Sequence, residues 1–290
     1  MSRAVELAQQ PADGTTEGKD TLNRGPARAC PPSCRGRLFL AMTSTRLDAV
    51  EARAAASGGA GKRAYVRRIF SEIAPRYDLL NHVLSLNIDR GWRRAALAEL
   101  AWRNQPDGTF LDLCAGTLDV GAMLAHMDGF RGRVLGADFA EPMLRRGIGK
   151  ADASTLAPVA ADALSLPLRD GSIDGAIVAF GVRNLASLDE GFREVLRVLR
   201  PGARFVILEF STPPSVLVRG AYRAYSHYVL PAIGRVLSGH PTAYQYLPES
   251  VDAFPEALAL ADRMSSVGFR NVRWRFHTLG VVAVHVGERG

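Results

Sequence analysis

Three things are scarce in this 290-residue chain, and each shortage removes a class of protein. Cysteine occurs only three times, and Cys30 and Cys34 lie in a Pro-, Gly- and Arg-rich stretch with no second ligand pair beside them. That spacing excludes a disulfide scaffold and offers no metal site. Long apolar runs are missing too: stretches such as Ala176–Phe180 and Gly280–Val286 fall far short of the roughly 20 residues that cross a bilayer. LFLAM, Leu38–Met42, is likewise too short for a signal-peptide core, so a cytoplasmic protein is expected. Acid is in modest deficit, 29 Asp and Glu against 36 Lys and Arg, for a net charge of +7. The excess arginine is spread along the chain, so nucleic acid is not an expected partner.

What is present suffices for a full core, with 47% apolar and 22% charged residues. Residues 1–60 read as a disordered leader and linker: Pro11–Asp20 is polar and Gly-rich, Pro26–Arg37 is basic, and Ala54–Gly61 is built of small residues. The first 41 residues read as an extension ahead of Met42. Residues 61–105 read as a helical lid. Val66, Ile69, Phe70 and Ile73 recur at helical spacing up to Pro75; Leu79, Leu80, Val83 and Leu84 suggest a second helix, and Trp92–Leu100 a third.

From 106 to 290 strands and helices alternate, which predicts an α/β core with a mostly parallel, doubly wound sheet. The expected strands are Thr109–Leu113, Arg133–Asp138, Pro158–Ala161, Ile173–Phe180 and Arg204–Phe210. Asn271–His277 and Val281–Val286 are separated by too few residues for a parallel crossover, so they predict a C-terminal antiparallel hairpin. An apolar helical insert is expected at about 215–250. Ligands in such sheets bind at the carboxyl ends of the strands, where Asp112, Asp138, Asp162 and Phe180 fall.

The segment LDLCAGTLD, Leu111–Asp119, ends an apolar run in a small-residue turn that opens a helix. Gly116 and Ala115 let backbone approach a ligand, and Asp138, about twenty residues on, is placed to accept from ribose hydroxyls. No G-x-G occurs in this loop, so a pyrophosphate lacks its usual cradle. Asp119 at the helix start would repel a pyrophosphate but suits an ammonium group, unless it is simply an acid favoured by the helix dipole. S-adenosyl-L-methionine, a nucleoside bearing an amino acid, fits better than NAD.

The chain from about Tyr65 to Gly287 resembles the ubiquinone/menaquinone biosynthesis C-methyltransferase family, which has the class I S-adenosylmethionine-dependent methyltransferase fold. The motifs are Ile69–Arg94 (IFSEIAPRYDLLNHVLSLNIDRGWRR), LDLCAGTLD, DFAEPML from Asp138, ADALSLPLRDGSID from Ala161, FGVRNL from Phe180, VLRPGARFVILEFSTP from Val198 and YSHYVLPAIG from Tyr225. The resemblance implies that Gly116, Thr117 and Asp138 touch the cofactor and that Asp162 and Ala163 lie beside the adenine. For Asp162 an Asx turn is the competing reading. Two departures stand out. Ala179 replaces a family serine, and Leu118 replaces a glycine, which at positive φ costs on the order of 1 kcal/mol and would weaken cofactor binding if the side chain crowds it.

The implied reaction is methyl transfer to a ring carbon of a polyprenyl hydroquinone, demethylmenaquinol ahead of the ubiquinone-pathway benzoquinol. The resemblance makes Arg183 a phenolate stabiliser, Asn184 a ring orienter and Tyr77 a closure over the pocket; alternatively Arg183 and Asn184 pin their loop and Tyr77 is core. His82 and His227 have no assignable role as base. The insert Ser215–Leu237 mixes apolar residues with Arg219, Arg223 and Arg235, which suits an isoprenoid tail and peripheral contact at the inner face of a membrane, or else an ordinary amphipathic lid. A homodimer or biosynthetic complex is compatible. The competing functions are a catalytically weak or inactive methyltransferase-fold scaffold and a secondary-metabolite small-molecule methyltransferase.

Overall fold

The computed structural model describes residues 54–55, 60–78, 85, 87–229 and 241–290. Most of the expected leader, the helix expected around Leu79–Leu84, His82 and residues 230–237 of the insert lie outside them. Helix α1 (Ala60–Ile73) runs into a 3₁₀ turn, Ala74–Arg76. Pro75 sits in that turn, where its missing N–H and fixed φ end the α-helix. Helix α2 is Asp89–Glu99.

The core then follows as β1 (Thr109–Leu113), α3 (Asp119–Ala125), β2 (Arg133–Asp138), α4 (Glu141–Gly147), β3 (Leu156–Ala160) and β4 (Ile173–Ala179). After these come α5 (Leu188–Val198), β5 (Leu199–Phe210), α6 (Val216–Ala224), a π-helical turn at Tyr225–Val229, α7 (Pro241–Asp252), α8 (Ala257–Val267), β6 (Phe269–His277) and β7 (Val282–Arg289). Among the described residues the strands form one sheet in the order β3-β2-β1-β4-β5-β7-β6. β1 to β5 are parallel, and β7 pairs antiparallel with both β5 and β6. The doubly wound sheet with its antiparallel tail is thus borne out, and β1 and β4, adjacent but opposite in winding direction, mark its switch point.

Side-chain alternation explains the three layers. Along β4 and β5, Ile177, Val206 and Leu208 enter one core with Trp92, Leu97, Val120 and Leu144 of α2, α3 and α4. Their neighbours Ala176, Val178, Phe205 and Ile207 enter the opposite core with Phe192, Val195 and Met264 of α5 and α8. Period two along the strands meets the apolar stripe of helices on each face. The start of α5 is set by Ser187, whose side chain accepts from the Glu190 amide, with Asp189 and Glu190 in the first turn and Arg197 in the last.

Candidate active site

The loops after β1, β2 and β4 meet at a cleft, and the backbone there adopts conformations that side chains usually avoid. Cys114, Leu118 and Phe180 all have positive φ, at 52°, 64° and 60°. Gly181 permits this convergence, because a Cβ there would lie 2.4 Å from Cys114 Cβ. Such clustering of unfavourable φ is a mark of functional loops held by their surroundings.

Gly116, at φ +52°, turns the chain over the cleft, where an added Cβ would meet Met143 Cε at 3.4 Å and Tyr77 Cε1 at 3.8 Å. Its amide donates to Asp138 Oδ2 at 2.8 Å, and the Ala140 amide donates to Oδ1 at 2.8 Å. Asp138 is buried yet lines the cleft. Burial raises its pKa above the ordinary carboxylate range, and the backbone donors oppose that shift. The Phe139 amide also faces this carboxylate, and the one remaining lone pair is open to a ligand hydroxyl.

Asp162 and Ala163 also line the cleft. Asp162 Oδ1 accepts from the Leu164 amide at 3.0 Å, which is the Asx turn, while Oδ2 pairs with Arg63 of α1 at 2.5 Å. Arg63, Val66 and Phe70 lay α1 along the cleft, with Tyr77 edge-on to Phe70 at 5.9 Å between centroids. The open glycine surface, the buried carboxylate and the apolar wall from Phe139, Met143, Ala161 and Leu164 together suit S-adenosylmethionine.

Thr117 points elsewhere. Its side chain is buried and its hydroxyl donates to Asp78 Oδ1 at 2.5 Å. Asp78 and Asp119 share the Lys150 ammonium at 2.6 Å each, and Arg93 reaches Asp119 at 3.3 Å. The ammonium that Asp119 holds is therefore a side chain of this chain. Leu118 is 1% exposed and packs in the core against Gly136 and Gly147, so it does not crowd the cleft.

Arg183 is buried behind the cleft wall. Its Nη1 donates to Glu209 Oε1 at 2.7 Å and to Phe180 O at 2.6 Å, its Nε to Ser250 at 3.3 Å, and its guanidinium lies 5.4 Å from the Phe210 ring centroid. Burial, the largest single influence, lowers its pKa, but the Glu209 charge, Tyr77, Tyr246 and the Glu209 hydrogen bond together raise it above the ordinary guanidinium value. Asn184 lines the cleft and accepts from Tyr246 Oη at 3.1 Å; burial pushes that tyrosine up to about 12. His227, half exposed, pairs with Asp252 at 3.1 Å.

Sequence reasoning missed Glu209, Tyr246, Lys62 and Lys150. Only Glu209 carried a signal, as a lone acid inside the apolar run of β5, since a buried carboxylate needs a partner. Among the described residues no His, Cys, Asp and Glu group is arranged to hold a metal ion, and no helix is long and apolar enough to cross a membrane.

The ubiE/COQ5 methyltransferase family model matches residues 59–289. Demethylmenaquinone methyltransferase of Thermus thermophilus is 48% identical over 223 residues, 76% of this chain and 100% of that protein. Ubiquinone/menaquinone biosynthesis C-methyltransferase UbiE of Geobacter sulfurreducens is 41% identical over 229 residues, 78% of this chain and 88% of that protein. A solved S-adenosylmethionine-dependent methyltransferase of Thermotoga maritima superposes with a TM-score of 0.52 at 18% identity, over 77% of this chain and 99% of that one, a likeness of fold. With the glycine turn, the strand-end aspartate and the switch-point cleft, these matches identify an S-adenosylmethionine-dependent methyltransferase of the class I fold, and the chain belongs to the ubiE/COQ5 methyltransferase family.

Proposed function

We propose that this enzyme methylates a ring carbon of a reduced polyprenyl quinone, with demethylmenaquinol preferred to the ubiquinone-pathway benzoquinol. The carrying observation is that Asp138 and Asn184, from the ends of β2 and β4, line one cleft with the α1 side chains along it. In this reading Gly116, Asp138, Asp162 and Ala163 receive the donor. Thr117 acts through Asp78, fixing the chain next to Tyr77. S-adenosylmethionine supplies an electrophilic methyl group when bound.

The protein's task is to make a hydroquinol carbon nucleophilic. Phenols start near pKa ~10, and a positive charge beside the oxygen favours the phenolate that pushes electron density onto the ring carbon. Arg183 supplies that charge from behind the cleft wall rather than by contact, with Glu209 and Phe180 O holding its fork so that the following Asn184 lines the cleft. Asn184, held by Tyr246, orients a ring hydroxyl, while Val66, Phe70 and Tyr77 exclude water. Residues 61–105 act as the lid.

The insert supports peripheral contact with an anionic membrane face. On α6, Val216 and Leu217 are 81% and 84% exposed, followed by the exposed Arg223, and Tyr228 of the next turn is exposed as well. Absence of cosedimentation with anionic liposomes at low salt would remove this part alone. The inactive-scaffold reading loses its support, because Leu118 lies outside the cleft. The deciding experiment is incubation with labelled S-adenosylmethionine and each reduced quinone precursor, followed by mass analysis. Label in neither ring refutes the assignment, and label in the benzoquinol alone reverses the preference.

A further inference from the structure

Lys150, just beyond α4, ties together two segments on which the cleft depends. Its Nζ donates to Asp78 Oδ2 and to Asp119 Oδ1, both at 2.6 Å, and the Thr117 hydroxyl donates to the other Asp78 oxygen. Asp78 adjoins Tyr77, a cleft residue, while Thr117 and Asp119 follow the Gly116 turn into α3. A Cβ on Gly116 would stand 3.8 Å from Tyr77 Cε1, so the fixing of Asp78 sets how closely this tyrosine lies over the turn. Lys150, Asp78 and Asp119 all lie outside the cleft lining, and whatever they do there is done through their neighbours.

The charges say what the lysine does. Both carboxylates sit on one ammonium, so their oxygens come within about twice a hydrogen-bond length of each other. Arg93 gives Asp119 a second cation at 3.3 Å, whereas Asp78 has no other cation among the described residues. Without Lys150, Asp78 faces Asp119 uncompensated, and a side chain 37% exposed relieves that repulsion by turning to water. Tyr77 moves with it. A lone, partly exposed ion pair is worth little, but here one ammonium serves two acids, and its loss falls on the placement of a cleft residue. We propose that Lys150 is a positioning residue for the methyl donor: it neutralises Asp78 and Asp119 together and thereby holds Tyr77 against the Gly116 turn. The proposal rests on the reading that this turn and Tyr77 receive S-adenosylmethionine, and it is independent of which ring is methylated.

The test is calorimetric titration of the full chain and its variants with S-adenosylmethionine. Lys150→Met should raise the donor Kd about tenfold, and Lys150→Arg, which keeps the charge, should stay within about threefold of the wild type. Asp78→Asn in the wild type removes a tie to Lys150 and should weaken binding. In the Lys150→Met background the same change removes the unmatched charge, while its amide oxygen still accepts from Thr117, and should restore binding. Lost packing alone predicts weaker binding in both backgrounds. Circular dichroism separates lost binding from lost fold, and if Lys150→Met does not fold, Asp78→Asn at its partly exposed position carries the test. Asp138→Asn calibrates the cleft: an unchanged donor Kd there refutes the donor site and this inference with it. Where Asp138→Asn does weaken binding, unchanged affinity in a folded Lys150→Met or Asp78→Asn protein overturns the role of Lys150 alone. So does a further loss in the double variant, or an equal loss in Lys150→Arg and Lys150→Met.

Discussion

Leu118 and Gly136 share one volume: a Cβ on Gly136 would stand 2.2 Å from Leu118 Cδ2. Gly147 completes the socket, since a Cβ there would fall 2.6 Å from Leu118 Cγ. Two opposing effects act on this leucine. Its φ of 64° costs on the order of 1–2 kcal/mol, whereas emptying a buried leucine site costs about 2–5 kcal/mol. Packing outweighs strain over most of that range, so Leu118→Gly should destabilise the protein by a net ~0–4 kcal/mol in urea unfolding. Gly136→Ala should cost about 1–3 kcal/mol by overpacking, and much of that cost should vanish in the Leu118→Ala background. Additive losses would show that the two residues do not compete for space.

The Arg183–Glu209 pair predicts a split between stability and catalysis. Glu209→Ala leaves a buried guanidinium without its anion and should cost about 3–5 kcal/mol, with Glu209→Gln costing less because its amide oxygen still accepts. Arg183→Lys keeps the charge but loses the fork. Its kcat should fall about a hundredfold while the KM for the donor holds, because Arg183 lies outside the donor-cleft lining. Steady-state kinetics with varied donor would check this, and a shift in donor KM alone would contradict the assigned role.

Asp112 gives an unusual pH dependence. Its carboxylate is buried beneath the start of α3, accepting from the Gly121 amide at 2.8 Å, and burial raises its pKa to about 7. The folded state thus holds a proton that the unfolded state releases near pH ~4. This contribution is present at low pH and is lost as pH rises from about 4 to about 7. Asp112→Asn keeps an acceptor for Gly121 and removes the titration. The wild type should therefore lose stability relative to this variant across that window, measured as urea midpoints.

His285 acts in the opposite sense. Its Nε2–H donates to Ala257 O at 2.9 Å, and burial lowers its pKa to about 4. The unfolded imidazole takes up a proton near pH ~6.5, so stability present above that value is lost as pH falls towards about 4. His285→Gln, which can donate the same bond, should flatten acid destabilisation in this range. An unchanged acid limb would place the sensitive group elsewhere.

Local pattern carried much of the fold. The alternation in β4 and β5 and the short gap between β6 and β7 were readable because each depends on neighbours in sequence. Gly116 and Asp138 were readable as a motif for a similar reason, being a turn and a strand end separated by one helix. Partners brought together by folding were not. Lys62 meets Arg183 across 121 positions, Lys150 meets Asp78 across 72, and Tyr246 meets Asn184 across 62. The orientation of Leu118 was equally hidden, because it is decided by two glycines on other elements that leave room for it.

Lys62 and Arg63 are consecutive on α1 yet are tied to different parts of the core, the first bonded to Arg183 O and the second to Asp162. One helical step turns about 100°, so a single rod joins the segment after β4 to the segment after β3. Any displacement of that rod breaks both attachments together.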